Sequence, residues 1–301
     1  MSAGRYRLNK IRLWLAIVSF VPLVAIPGCA PSSSRKEIRR PSVAPDQKMS
    51  PAAAIDGICY LKMNRKYAAI LDQIAISSGV LLDGRYVLTA GHNLFNASYP
   101  WGRVDTIEVL VGKPDVSKVG RDYVDALVSG GRVERGAIPL DGVWTVAPRF
   151  EWSISTWLKP SASNRMIQHD YGFIDLGGSF PERTSYTLNS STGIELKVGD
   201  VVKVAGYPGD SKKIKGATGS RLFEGEGRVT AIGPNLFTYN VATARGLSGA
   251  PVWIEKGGRK IVVGVHVGSD FDGEKGAMAR RVDGKLIRDW KSWKSRRQSA
   301  N

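Results

Sequence analysis

The chain has 301 residues, 43% of them hydrophobic and 23% charged, enough for one large core or two modest ones and too apolar for a disordered chain. Two cysteines exclude a disulfide-stapled scaffold and an all-cysteine zinc site, and three scattered histidines (His92, His169, His266) form no evident metal cluster, so neither metal nor cofactor is expected. The formal charge of +16 first suggests nucleic acid, but the excess sits on the flanks: residues 1–28 carry four basic residues and no acid, 30–48 five against two, and 285–301 six against one, while 49–284 hold 28 against 24. A near-neutral body argues against nucleic acid as a partner.

In chain order, Arg5, Arg7, Lys10 and Arg12 form a basic start, and the uncharged run from Leu13 to Gly28 follows. A basic region, an apolar region and a small residue before a cut describe a secretory signal. The Gly28-Cys29 junction resembles a bacterial lipobox, which makes Cys29 the candidate lipidation site and the membrane the expected anchor. A plain cleaved signal and an uncleaved anchor helix are the alternatives, though sixteen residues with two prolines are short for a span of about 20. All three readings place the body outside the cytoplasm, in the cell envelope or secreted. Ala30 is not the Asp that resembles an inner-membrane retention signal. A lipidated Cys29 leaves Cys59 as a buried apolar residue; a free one leaves a Cys29–Cys59 bridge open in an oxidising compartment. Residues 30–52, rich in Ser, Pro and charge, read as a flexible tether.

From about residue 55, short β-branched runs alternate with Gly and Asp turns. Ile76–Leu82, Asp83-Gly84 and Tyr86–Thr89 predict a hairpin on an Asp-Gly turn. Further strands are expected at 107–111, 143–146, 172–176, 201–205, 227–232, 237–241, 251–254 and 261–267. This spacing, with little helical periodicity between, argues for an all-β barrel or sandwich. The polar stretch 177–193 is the best internal boundary, giving halves at 53–180 and 181–284. Leu286, Ile287, Trp290 and Trp293 then recur at helical spacing among Lys and Arg, predicting one amphipathic helix within a basic 285–301 tail. A solvated face explains its charge; contact with anionic lipid is the sharper alternative.

Three segments carry chemistry. Leu88-Thr89-Ala90-Gly91-His92 puts a His at a strand end. His169-Asp170-Tyr171-Gly172 opens an apolar strand with an Asp, where a carboxylate can be half buried. Arg245-Gly246-Leu247-Ser248-Gly249-Ala250-Pro251 places a Ser between glycines on a tight turn, whose backbone N–H groups can approach a substrate carbonyl. Two of them alone have bland readings, a structural His and a turn-capping Asp, and the Ser segment is the strongest of the three. Together, in the order His, Asp, Ser, they are specific.

With these segments the chain resembles the chymotrypsin-fold serine peptidases and, more narrowly, the glutamyl endopeptidase branch found in bacteria. The resemblance spans about 75–285 and includes Ser78-Gly79-Val80, Gly206-Tyr207-Pro208-Gly209-Asp210 and Gly264-Val265-His266-Val267-Gly268 besides the three segments above. It implies two six-stranded antiparallel β-barrels at right angles, a cleft between them and a C-terminal helix. It implies a serine endopeptidase acting on polypeptides, with His92 as base, Asp170 orienting it and Ser248 as nucleophile. The oxyanion would rest on the N–H groups of Gly246 and Ser248. Asp175, five residues further on, is a weaker rival for the carboxylate role. In the glutamyl branch a Thr five before the Ser and a His in a late Gly-x-His strand hold the substrate's acidic side chain; Thr243 and His266 match. Ala242 stands where trypsin-like enzymes carry the Asp that selects Lys or Arg, and Leu247 stands where zymogens have the Asp that pairs with a new N-terminus. Arg245 is the candidate for the positive charge such a pocket needs. The competing readings are a catalytically silent relative that only binds, and a basic surface protein acting through residues 285–301.

Overall fold

The computed structural model describes residues 48–67, 71–95, 104–120, 123–129, 143–147, 167–178, 180, 186–189, 194–209, 212–269 and 276–299. The signal-like segment, Cys29, the tether up to 47 and Asp210 lie outside them. Two sheets occupy the compact unit Ser42–Asn301. The strands, in chain order, are β1 (Ser50–Pro51), β2 (Ile58–Tyr67), β3 (Leu71–Leu82), β4 (Tyr86–Thr89), then the single helical turn α1 (Gly91–Leu94), β5 (Thr106–Val111), β6 (Ala126–Ser129), β7 (Trp144–Val146), β8 (Gly172–Asp175), β9 (Tyr186–Leu188), β10 (Val201–Gly206), β11 (Phe223–Ile232), β12 (Leu236–Tyr239), β13 (Pro251–Lys256), β14 (Arg259–Ser269) and β15 (Ala277–Arg281), followed by α2 (Gly284–Ser299).

The N-terminal sheet runs β6-β5-β2-β3-β4-β8-β7, antiparallel throughout. Its β3–β4 hairpin turns on Asp83 and Gly84, both at positive φ (50° and 68°), with the Arg85 N–H donating to the Leu82 carbonyl. That is the turn an Asp-Gly pair favours between twisted strands. In the C-terminal half β10, β11, β12, β15, β14 and β13 pair in a ring, closed by β11–β12. The expected six-stranded barrel is thus closed there, while the N-terminal half is an open seven-stranded sheet among the described residues. The C-terminal sheet is also not wholly antiparallel, because β9 adds to β14 in parallel. Residues 49–52, read from sequence as the end of the tether, lie on this sheet: β1 pairs with β11, Ala52 donates to the Leu222 carbonyl, and Met49 is buried in the barrel core.

Helix α2 begins at Asp283, whose carboxylate accepts the Leu286 N–H (2.9 Å). It buries the four predicted residues, Leu286, Ile287, Trp290 and Trp293. The tryptophans pack on the N-terminal sheet: Trp290 meets Tyr86 edge-on (centroids 5.1 Å apart) and Trp293 stacks on Phe173 (5.8 Å). Much of its positive charge is paired, with Lys285 on Asp289 (2.6 Å), Lys294 on Asp83 and Arg297 on Asp175 (3.0 Å). Three of its cations are thus held in ion pairs within the chain.

Candidate active site

His92 sits in α1, directly after β4. Its Nδ1 lies 2.6 Å from Asp170 Oδ2, and its backbone N–H donates to Asp170 Oδ1 (2.8 Å). Asp170 is 2% exposed, while the His92 side chain keeps 23% of its surface, so the carboxylate is enclosed and the ring opens outward. Two contacts to one carboxylate fix the ring's orientation as well as its distance. Behind it, the buried Arg65 on β2 donates to the carbonyls of His92 (3.1 Å) and Asn93 (2.8 Å).

Ser248 belongs to the C-terminal half and is tied to the His92 turn through its own carbonyl. That oxygen accepts from Asn93 Nδ2 (2.9 Å) and from the Ser78 N–H (3.0 Å). Asn93 Nδ2 also bonds Thr89 Oγ1 (2.9 Å). The glycines on either side are required by geometry. Gly246 (φ 92°) faces Tyr207, and a Cβ there would overlap the Tyr207 carbonyl oxygen. Gly249 (φ 86°) presses against Thr89 and Ser78, where a Cβ would overlap Thr89 Oγ1 and the Ser78 carbonyl.

The carbonyls of this loop are held from behind. The Gly209 N–H donates to the Arg245 carbonyl (2.6 Å) and the Ala250 N–H to the Leu247 carbonyl (2.8 Å). In a trans peptide the N–H points opposite to the C=O, so the N–H groups of Gly246 and Ser248 face away from these donors. Among the described residues no hydrogen bond uses either N–H. Ser78 Oγ completes the frame: it donates to the Gly246 carbonyl (2.8 Å) and accepts the Tyr207 N–H (3.0 Å).

Of the specificity candidates, His266 on β14 is 2% exposed and Thr243 is 7% exposed, and Arg245 is exposed. His266 brackets the serine turn: its carbonyl accepts the Gly249 N–H and its N–H donates to the Ala250 carbonyl (both 2.8 Å). Its Nδ1 meets the Tyr239 hydroxyl at 2.8 Å. Burial, and secondly the nearby His92, hold its pKa down at about 3, so the ring is neutral. Among the described residues no hydrogen bond joins Thr243 to His266. The rival Asp175 is elsewhere engaged. It takes Arg85 through two bonds (2.7 and 2.9 Å), Arg297 (3.0 Å) and the Gly177 N–H (3.0 Å). Burial opposes its charge, but these bonds outweigh it and lower its pKa.

Sequence reading quoted Ser78 without a role and missed Asn93, Arg65 and Tyr239. Asn93 carried a faint signal, an amide beside the motif His whose polar groups need partners once buried. Arg65 carried none.

A carboxylate locked onto an imidazole, on a turn bonded through Asn93 to the carbonyl of a glycine-flanked serine, suits a trypsin-like peptidase. Residues 77–265 match the sequence profile of the trypsin-like peptidase domain, and the chain belongs to that family of hydrolases. In fold it is similar to a Glu endopeptidase solved in complex with MPD, at 18% identity and a TM-score of 0.55 over 84% of this chain and 99% of that one. It is also similar to the protease Anisep from Arthrobacter nicotinovorans, at 16% identity and a TM-score of 0.52 over 82% of this chain and 99% of that one. The fold is the chymotrypsin-like one. The sequence matches no curated protein.

Proposed function

We propose that the protein is an exported serine endopeptidase that cleaves polypeptides after Glu or Asp. The observation that carries the reading is the His92–Asp170 pair at 2.6 Å, with Asn93, the next residue, bonded to the Ser248 carbonyl. A serine hydroxyl is a weak nucleophile at neutral pH and needs a base. His92 takes the Ser248 proton as the hydroxyl attacks the scissile carbonyl, and returns it to the leaving amine. Asp170 keeps the Nδ1 proton in place and stabilises the imidazolium. Water then opens the acyl-enzyme by the same proton path. The N–H groups of Gly246 and Ser248 receive the oxyanion, each worth about 2.7–4 kcal/mol in comparable sites.

The acidic preference rests on Thr243 and His266, two buried hydrogen-bonding groups near the serine, with no acid at position 242. Arg245 supplies the positive charge in this reading. Cys29, lipidated, tethers the body to the membrane of the cell envelope. Nucleic acid has no part in this reading, which is supported by the near-neutral balance of residues 49–284.

A fluorophosphonate probe should label the protein and fail to label Ser248→Ala; absent labelling of the folded wild type would leave a binding module with a peptidase fold. A peptide library varying Glu, Asp, Gln and Lys before the scissile bond should show cleavage after the acids. The Arg245→Ala chain should lose part of its Glu-over-Gln ratio, and an unchanged ratio removes Arg245 from the pocket.

A further inference from the structure

Tyr239 ends β12 on the inner side of the closed barrel and is fully buried. A phenol in that place must find a partner for its O–H. Among the described residues the hydroxyl has one hydrogen-bond partner, Nδ1 of His266 (2.8 Å). Two arrangements satisfy that distance. In one, Tyr239 donates and the imidazole carries its proton on Nε2. In the other, Nδ1–H donates to the phenol oxygen, and the Tyr239 O–H is left buried with no acceptor. The second leaves a desolvated donor unpaired, so the first wins. Nε2, which has no hydrogen-bond partner among the described residues, is then the nitrogen bearing the hydrogen.

The choice of tautomer matters because this imidazole is neutral. A charged ring donates from both nitrogens, and its orientation is indifferent to an anion. A neutral ring has one donor and one acceptor. If the acceptor faced a substrate carboxylate, two lone pairs would meet in a dehydrated site. We infer that Tyr239 is a positioning residue for substrate selection: by donating to Nδ1 it compels His266 to present Nε2–H, making this histidine an obligate donor for an acidic side chain. This deepens, and rests on, the acidic preference proposed above. Tyr239 itself touches no substrate in this scheme.

The substitution Tyr239→Phe deletes the hydroxyl and little else. Both full-length chains are titrated with a fluorophosphonate probe to count working sites. Peptides alike except for Glu, Gln or Leu before the scissile bond are then cleaved by each. The Glu-to-Gln ratio of kcat/KM should fall about tenfold in Tyr239→Phe, with the Leu peptide changed by less than about threefold. A general loss of packing would lower all three together, which overturns the inference. So does an unchanged Glu-to-Gln ratio, and in that case the acidic preference itself stands. A wild type with no preference for Glu overturns the acidic reading and the inference with it. Nitrogen-15 spectra of the wild type with labelled histidine provide a readout that needs no variant. His266 should show a protonated Nε2 and a bare Nδ1, and the reverse pattern overturns the inference.

Discussion

The two halves of the molecule achieve order differently. The C-terminal barrel closes on its own strands, and its interior (Val202, Val204, Phe223, Phe237, Tyr239, Val252) is drawn from that half, with Met49 added. The N-terminal sheet ends in the edges β6 and β7 among the described residues, and its core is continued by Trp253, Tyr207 and Val265 from the other half and by four residues of α2. His92 and Asp170 thus stand on the half whose core is completed from elsewhere. Strand β8 shows this most directly. Asp170 and Tyr171 precede it, and Tyr171 donates to Asp289 of α2 (2.5 Å), while Asp175 at its far end takes Arg297 of α2. Both ends of the strand behind the candidate carboxylate are therefore pinned by the last helix.

The largest effect should come from removing that helix's anchor. Trp293 is 1% exposed and packs on Tyr86 and Phe173. Trp293→Ala should cost about 3–5 kcal/mol of stability. The loss should also be uneven. Hydrogen exchange should speed first in β4 and β8 and leave β10 to β15 protected, since those strands close without the helix. Equal loss of protection in both sheets would mean that the halves unfold as one and that the contrast between them has no energetic meaning.

Ser78 is where the halves meet. It lies on β3 of the open sheet, yet its hydroxyl bridges the Gly246 carbonyl and the Tyr207 N–H of the closed one. Ser78→Ala leaves a buried donor and acceptor unpaired, a change of about 1–3 kcal/mol. If the bridge holds the oxyanion loop in its working form, the cost falls on the transition state: kcat should drop roughly tenfold or more with KM little changed. A rise in KM at constant kcat would instead assign the bridge to substrate binding, and the loop would be held by its other ties, from Gly209, Ala250 and Asn93.

How much of this was legible in the sequence follows the same division of local from distant. Strands with β-branched alternation, the Asp83-Gly84 turn and the four-residue stripe of α2 were readable, because each is decided within a few residues. Strands β2 and β15 were not, because each carries a buried arginine, Arg65 and Arg280, where the pattern calls for an apolar side chain. Arg65 is inward because it serves the carbonyls of His92 and Asn93. Arg280 lies under Tyr171 (5.2 Å to the ring centroid) and pairs with Asp283 (2.8 Å). Both partnerships are invisible without the fold. The His, Asp and Ser segments announced themselves by their flanks. Asn93 and Ser78, which hold the serine loop, and Tyr239, which holds His266, look ordinary in sequence because their partners lie far along the chain or on another strand. The N-terminal half, a half-barrel beside the closed one, has edge strands that border segments outside the described residues.

A third effect, comparable to that of Ser78→Ala, separates the halves by pH. His266, in the closed barrel, has its pKa lowered from 6.5 to about 3 by burial and by the neighbouring His92. Between those values the unfolded chain binds a proton that the folded one refuses. Stability from this group is therefore complete above 6.5 and falls with pH below it, by about 1.4 kcal/mol per unit where the slope is fully developed. Asp175, on the open sheet, also has a lowered pKa, but its ordinary value is 3.8, so its contribution holds above that and is lost only as pH drops through the still lower folded value. Acidification from pH 6.5 to 4.5 should thus weaken the molecule through His266 while Asp175 stays ionised. Urea unfolding at both pH values, for wild type and His266→Gln, isolates the histidine by difference. The variant should lose less stability over that interval, and parallel losses would show that His266 takes up its proton without unfolding.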